Sequence, residues 1–236
     1  MKKLVFGIIV CASIATAAIA MAGTPSENAE KHGKKITEAT AVYRELVTMP
    51  DRGVPKELLE NCKCVAVLPG VIKGAVGYGA RHGSGVMSCR NATGWSAPAF
   101  VNITGGSVGL QLGAESTDLV LFFMTDRGAR SLVNGSRITL GGKASVAAGP
   151  FGRSGEAATN LELKSEIYSY GRSQGLFAGL SFEGARLVPD KKDNASYYGH
   201  SISYNQLLFG KGPGTMPAEA AEFRRVLQSR AELSHN

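Results

Sequence analysis

Between Glu27 and Thr48 apolar residues recur every three or four positions. Ile36, Ala39, Tyr43, Leu46 and Val47 fall on one stripe. This spacing predicts an amphipathic helix with Ser26 as its N-cap and Glu27 and Glu30 in a first turn that favours acids. Met49-Pro50 ends it. Lys31, His32, Lys34 and Lys35 gather toward its N-terminal end, and Arg44 follows further along. A short helical turn is expected after Val54-Pro55, through Leu58 and Leu59.

From Cys62 the period shortens and the chain reads as strands. Cys64 to Leu68 is a continuous apolar run, with Pro69-Gly70 as its stop. Ala75–Ala80, a turn at His82-Gly83, and Val86–Arg90 follow. Trp95–Ile103, Ser107–Leu112 and Leu119–Met124 are three further strands, punctuated by Gly94 and Gly105-Gly106. Asp126–Leu132 is expected as a short helix, and Asn134-Gly135 as a tight turn. Ile138–Leu140, Ala144–Ala148, Leu161–Tyr170 and Leu176–Leu187 complete the strand set. Asp190–Tyr198 suits a helix. Pro217–Leu233 is one by its stripe of Ala220, Phe223, Val226 and Leu227. The pattern predicts a single α+β domain: Gly-rich, mainly antiparallel β-structure with helices at both ends.

The first 22 residues stand apart. Met1-Lys2-Lys3, an apolar run and Ala20-Met21-Ala22 have the order of a cleavable signal peptide, with cleavage near Ala22 and a domain over 23–236. A periplasmic or secreted location is the corresponding expectation. Without Lys2 and Lys3 the formal net charge falls from +7 to +5. Mild basicity favours anionic surfaces such as phospholipid head groups, and nucleic acid is not expected as a partner.

Several chemistries are excluded by residue order. Gly142-Lys143 is followed by Ala144, so no phosphate loop is formed. Gly77, Gly79, Gly83 and Gly85 lie between strands and not before a helix, which argues against a dinucleotide site. His32, His82, His200 and His235 make no pair at ligand spacing. Cys62, Cys64 and Cys89 have no histidine beside them to complete a zinc set. No catalytic, metal or cofactor site is therefore expected.

The segments Cys64–Pro69, Gly77-Tyr78-Gly79, Gly85-Val86, Gly94–Phe100 and Gly106–Gly113 resemble, in matching order, the SYLF domain family. So do Gly149–Arg153, Tyr168–Tyr170, Gly175–Gly179 and Tyr197–Gly199, so the strongest resemblance covers 36–199. It implies lipid binding without catalysis. Eukaryotic members are associated with phosphoinositide membranes and some with actin filaments. The apparent signal peptide and the lack of an SH3 or zinc-finger module argue against actin as a partner here. The resemblance also implies a Cys64–Cys89 disulfide with Cys62 free. In a simple meander those two cysteines would lie two strands apart, about 9–10 Å, beyond the roughly 7 Å reach of a disulfide. Either the strand order differs, or the thiols are unbonded.

The resulting expectation is an exported, non-catalytic protein that binds anionic phospholipid, through Lys31, Lys34, Lys35 and Arg44 on the first helix and Lys73 and Arg81 near the glycine-rich hairpin. The alternative is an envelope structural or protein-interaction module. The bland reading of the helix is that its stripe packs on the domain's own sheet and its lysines are merely solvated.

Overall fold

The computed structural model describes residues 25–49, 54–76, 78–108, 113–133, 137–141, 145–149, 165–173, 176–179 and 184–233. The expected signal peptide lies outside them.

Helix α1 spans Pro25–Thr48 and α2 spans Lys56–Asn61. Ser26 thus lies inside α1 instead of capping it; proline suits the first helical turn because its missing N–H needs no partner there. Two long strands follow, β1 (Cys64–Val76) and β2 (Tyr78–Asn91), then β3 (Gly94–Trp95), β4 (Ala99–Val108) and β5 (Gly113–Phe123). Helix α3 (Asp126–Val133) leads to β6 (Ile138–Thr139), β7 (Val146–Ala148), β8 (Ile167–Ser173), β9 (Leu176–Gly179) and β10 (Arg186–Pro189). Helices α4 (Lys191–Tyr198), α5 (Tyr204–Leu208) and α6 (Ala218–Leu233) close the chain.

The strands form one sheet in the order β6-β10-β4-β2-β1-β5-β8-β7, with β3 added to β2 and β9 to β8. Every pairing is antiparallel except β7 with β8. The α+β expectation therefore stands, with a helix near each end of the described chain.

The apolar run in β1 is continuous because both faces of the central sheet are covered. Ala66 and Leu68 join a core with Met87, Leu121, α3 and α5. Val65 and Val67 join a second core with Val86, Phe122, α1 and α6. The α1 stripe is consumed in that second core: Ile36, Ala39, Val42, Tyr43 and Leu46 are at most 4% exposed. The three-to-four spacing thus reports packing on the sheet.

Several glycines read as turns are strand residues. Pro69-Gly70 does not stop β1 but makes a bulge, where the register slips against both β2 and β5. Gly70 has φ +60°, and its N–H donates to Asp118 Oδ1 at 2.8 Å. His82-Gly83 lies inside β2, and Gly105-Gly106 inside β4. The expected Ala75–Ala80 strand is folded in two, since Val76 pairs with Tyr78. Consequently β1 and β2 are direct neighbours, Cys64 faces Cys89, and a disulfide joins them across 4.0 Å between Cα atoms. Strand order resolves the meander difficulty, and Cys62 is a free, buried thiol.

Trp95–Ile103 is interrupted at Ser96-Ala97-Pro98, where proline has no N–H to offer a ladder. The Ser96 hydroxyl accepts from the Cys89 N–H at 3.0 Å in place of a strand partner. Of Leu161–Tyr170 only 165–170 is described, and its Ile167–Tyr170 part opens β8; Leu176–Leu187 divides into β9 and β10. The pattern analysis missed α5. Its signal was Ser203, whose hydroxyl accepts the Gln206 N–H at 3.1 Å as an N-cap.

A cleft between the first helix and the fourth

The six basic residues singled out by sequence occupy three separate places. Lys31 and Lys34 are exposed on α1, and Lys35 is half-buried with its ammonium 3.5 Å from Glu38. Arg44 lies nine residues beyond Lys35, or about 13 Å along the helix. It reaches α6 instead, 2.7 Å from Glu222, whose carboxylate also takes Arg225. Lys73 and Arg81 are direct partners across β1 and β2, with Glu115 opposite Lys73 on β5. They alternate with Ile72 and His82, so they share the sheet face of Val71, opposite to α1. Partial burial lowers the Arg81 pKa and Glu115 raises it, burial prevailing.

At the N-terminal half of α1, the sheet and α4 enclose a cleft of about 350 Å³. Helix α1 contributes Lys31 and Lys35, β2 contributes Ser84, and α4 contributes Lys192 and Ser196. Its floor is Phe100, 2% exposed, on which the His32 ring rests with centroids 5.1 Å apart. His32 Nδ1 lies 3.7 Å from an Asp193 carboxylate oxygen. Burial is the main cause raising the Asp193 carboxyl above its usual range, with Asp190 adding to it; His32 and Lys31 pull it back.

Polar bonds pin α4 in place. The Asp190 carboxylate caps it by accepting the Asp193 N–H at 3.0 Å, and accepts from Asn102 Nδ2 at 2.6 Å. Asn194 is fully buried; its Oδ1 accepts the Phe100 N–H and its Nδ2 donates to the Asp190 carbonyl. The Tyr204 hydroxyl accepts the Asp190 N–H at 2.7 Å. The side chains of α4 are therefore presented from a rigid base against β4.

The described hydrogen bonds join neither Ser84 nor Ser196 to His32, so a nucleophile and base are not assembled in the cleft. Among the described residues no group of three or more His, Cys, Asp or Glu is placed to hold a metal ion. No described helix is long and apolar enough to cross a membrane. What the cleft offers is a concentration of positive charge over an aromatic floor. Pattern analysis found Lys31 and Lys35 but missed Lys192, Ser84 and Ser196. Lys191-Lys192 directly after the Asp190 cap was visible, yet nothing local tied it to α1.

Residues 104–230 match the family model described as "Ysc84: Las17-binding protein actin regulator". The chain is 35% identical over 208 residues to the rat SH3 domain-containing YSC84-like protein 1, covering 87% of this chain and 60% of the relative. It is 34% identical over 212 residues to the human counterpart, covering 89% and 61%. Against Protein YSC84 of Saccharomyces cerevisiae it is 36% identical over 184 residues, covering 77% and 39%. The match thus spans about three fifths of the rat and human relatives and about two fifths of the yeast one. The family description names a Las17-binding protein and actin regulator and no enzyme.

Two expectations are corrected. The exclusion of actin is overturned, because the matching family is named for actin regulation and Las17 binding. A periplasmic or secreted location is overturned by the same relatives, which are eukaryotic proteins of rat, human and yeast named for an SH3 domain or for Las17 binding. The location had rested on 1–22, and the exclusion of actin on 1–22 together with the comparison of modules, whereas the family match falls on residues 104–230. The chain belongs to the Ysc84 family, whose shared unit is the SYLF domain.

Proposed function

We propose that this chain is a non-catalytic binding module that docks on anionic phospholipid surfaces through the basic N-terminal half of α1. The observation that carries this is the state of Lys31 and Lys34: both are exposed on the N-terminal half of α1, and Lys31 also acts on the Asp193 carboxylate. The apolar stripe of α1 is already buried, so docking is electrostatic and the helix does not insert. Each lysine near an anionic surface contributes about 1 kcal/mol.

Replacing Lys31, Lys34 and Lys35 together by glutamine is expected to weaken binding to anionic vesicles by up to about 3 kcal/mol, roughly a hundredfold. Stability should change by less than about 0.5 kcal/mol at the exposed Lys31 and Lys34, and by up to about 1 kcal/mol at Lys35 with its Glu38 pair. Vesicle flotation beside urea unfolding reads both. Parental binding by the triple variant would sink this placement of the site and move attention to Lys73 and Arg81.

The family name favours a second reading, in which the same basic surface meets actin. Co-sedimentation with filamentous actin, parent against triple variant, tests it separately.

A further inference from the structure

We infer that the bare sheet face beside α1 is a docking surface for an amphipathic helix of a protein partner, apolar along its stripe and acidic along the edge that meets α1. This goes beyond the membrane-docking reading and uses a different surface, the far ends of β1 and β2. Ser116, Ile72 and His82 form one row across the strands, and Gly74, Ala80 and Gly106 the next. Both rows lie on the α1 side of the sheet, because they alternate with Lys73 and Arg81. Ile72 is 57% exposed, and among the described residues no other large hydrophobic side chain is exposed. Ala80, His82, Gly106 and Ser116 are exposed around it. None of the six is Lys, Arg, Asp or Glu, whereas the opposite face carries Lys73, Arg81 and Glu115 at the same level.

The shelf has the dimensions of a helix seat. Helices α6 and α1 already lie side by side on this face, α6 against β3 and α1 against β1 and β2. The shelf is the next place in that layer, on the side of α1 away from α6. From Ile72 to the end of β1 at Val76 is about 13 Å, room for a helix about 10–12 Å across. The row of Gly74, Ala80 and Gly106 has almost no bulk, and a Cβ at Gly74 would meet nothing within 4 Å. A helix can therefore settle between that row and the flank of α1, with Ile72 under its stripe.

Charge and area select the occupant. Lys31 and Lys35 stand where α1 passes over Ser84, the next residue on this face of β2 after His82. Farther along α1 the carboxylates of Glu45 and Asp118 are both taken by Arg172. The positive end of this wall calls for acids on the partner. A second copy of the chain fits poorly. Two such shelves stacked face to face would cover a patch of roughly 14 by 13 Å, far short of the ~800 Å² per partner of a stable interface. A helix touches both the floor and the wall.

The test uses the whole chain and a synthetic helical peptide of about 14 residues, long enough to cross the four strands. It carries a leucine and alanine stripe edged by glutamates; a second peptide has lysine at each glutamate. The parent is expected to bind the glutamate peptide about tenfold more tightly than the lysine peptide, and Lys31→Gln with Lys35→Gln should shrink that ratio. Ile72→Thr keeps a β-branched residue in the strand, and Gly74→Leu fills the seat. Each should weaken the glutamate peptide about tenfold while keeping the parental urea midpoint and parental flotation on anionic vesicles.

No binding of either peptide, equal binding of the two, or binding that both shelf variants retain overturns the inference and leaves electrostatic docking standing. Loss of vesicle flotation in Ile72→Thr overturns it in favour of a membrane contact. A parental dimer that Ile72→Thr dissociates overturns it in favour of a second copy.

Discussion

Replacing Gly85 by alanine is expected to cost about 3 kcal/mol or more of stability, at the upper end of overpacking effects. A Cβ at this position would lie 2.1 Å from the Val67 carbonyl oxygen and 2.6 Å from Leu68 Cα. Both contacts are backbone, so no side-chain rotation relieves them. Moving that backbone would break the β1–β5 ladder, where Val67 faces Val120 and Leu68 faces Leu119. The close approach arises at the bulge, where β1 slips between Val67 and Ile72 against β2. Gly74, further along β1, is the control: a Cβ there meets nothing within 4 Å. Gly74→Ala should change stability by less than about 1 kcal/mol. Urea unfolding of both variants, compared at equal m-value, checks this. A Gly85→Ala protein with the parental midpoint would contradict the register described for β1 and β2.

Converting Cys64 and Cys89 together to alanine is the second large effect. The disulfide spans 25 residues in sequence. Releasing a loop of that size from its cross-link is worth about 3–4 kcal/mol in the chain-entropy account. For a chain of this length that is a fall of roughly 6–16 °C in Tm. Cys62 should take no part. Its thiol is 1% exposed and pushed up to about 11 by burial, against the opposing pull of Arg90. In the native oxidised protein Cys62 should therefore resist alkylation and react only after unfolding without reductant, as peptide mapping reads. A loss below about 1 kcal/mol, or alkylation of Cys62 in the folded state, would contradict this arrangement.

The parts of the fold legible in sequence were those whose burial is periodic. The stripes of α1 and α6 followed the helical period because each helix has one face on the sheet. The Cys64–Leu68 run was legible as a strand buried on both faces. Glycine was misread wherever it serves close approach between strands. Gly83, Gly85 and Gly105 look like turn punctuation, yet a Cβ at any of them would meet backbone or core atoms of β1 or of Ala185 just before β10. The same misreading divided the β1–β2 pair into three strands and made the disulfide look out of reach.

The candidate site was half legible for a comparable reason. Lys31 and Lys35 belong to one helix and show themselves by spacing. Lys192 and Ser196 join them only because β10 pairs with β4, delivers α4 back over the sheet, and Asn194 locks it to Phe100. That is topology, which no local pattern encodes. Arg44 shows the converse. It shares the helix and charge of the lysines, but the packing of α6 turns it to Glu222.

The central claim is that the chain docks on anionic membranes by charge, with its amphipathic helix left folded on the sheet. The most direct measurement is flotation of the parent protein with phospholipid vesicles as salt is raised. At low salt, binding to anionic vesicles and none to zwitterionic vesicles is expected. Binding should then fall steeply toward physiological ionic strength, where the Debye length is about 8 Å. Equal binding to zwitterionic vesicles, or anionic binding that persists unchanged in high salt, would mean that apolar insertion dominates and would contradict the account.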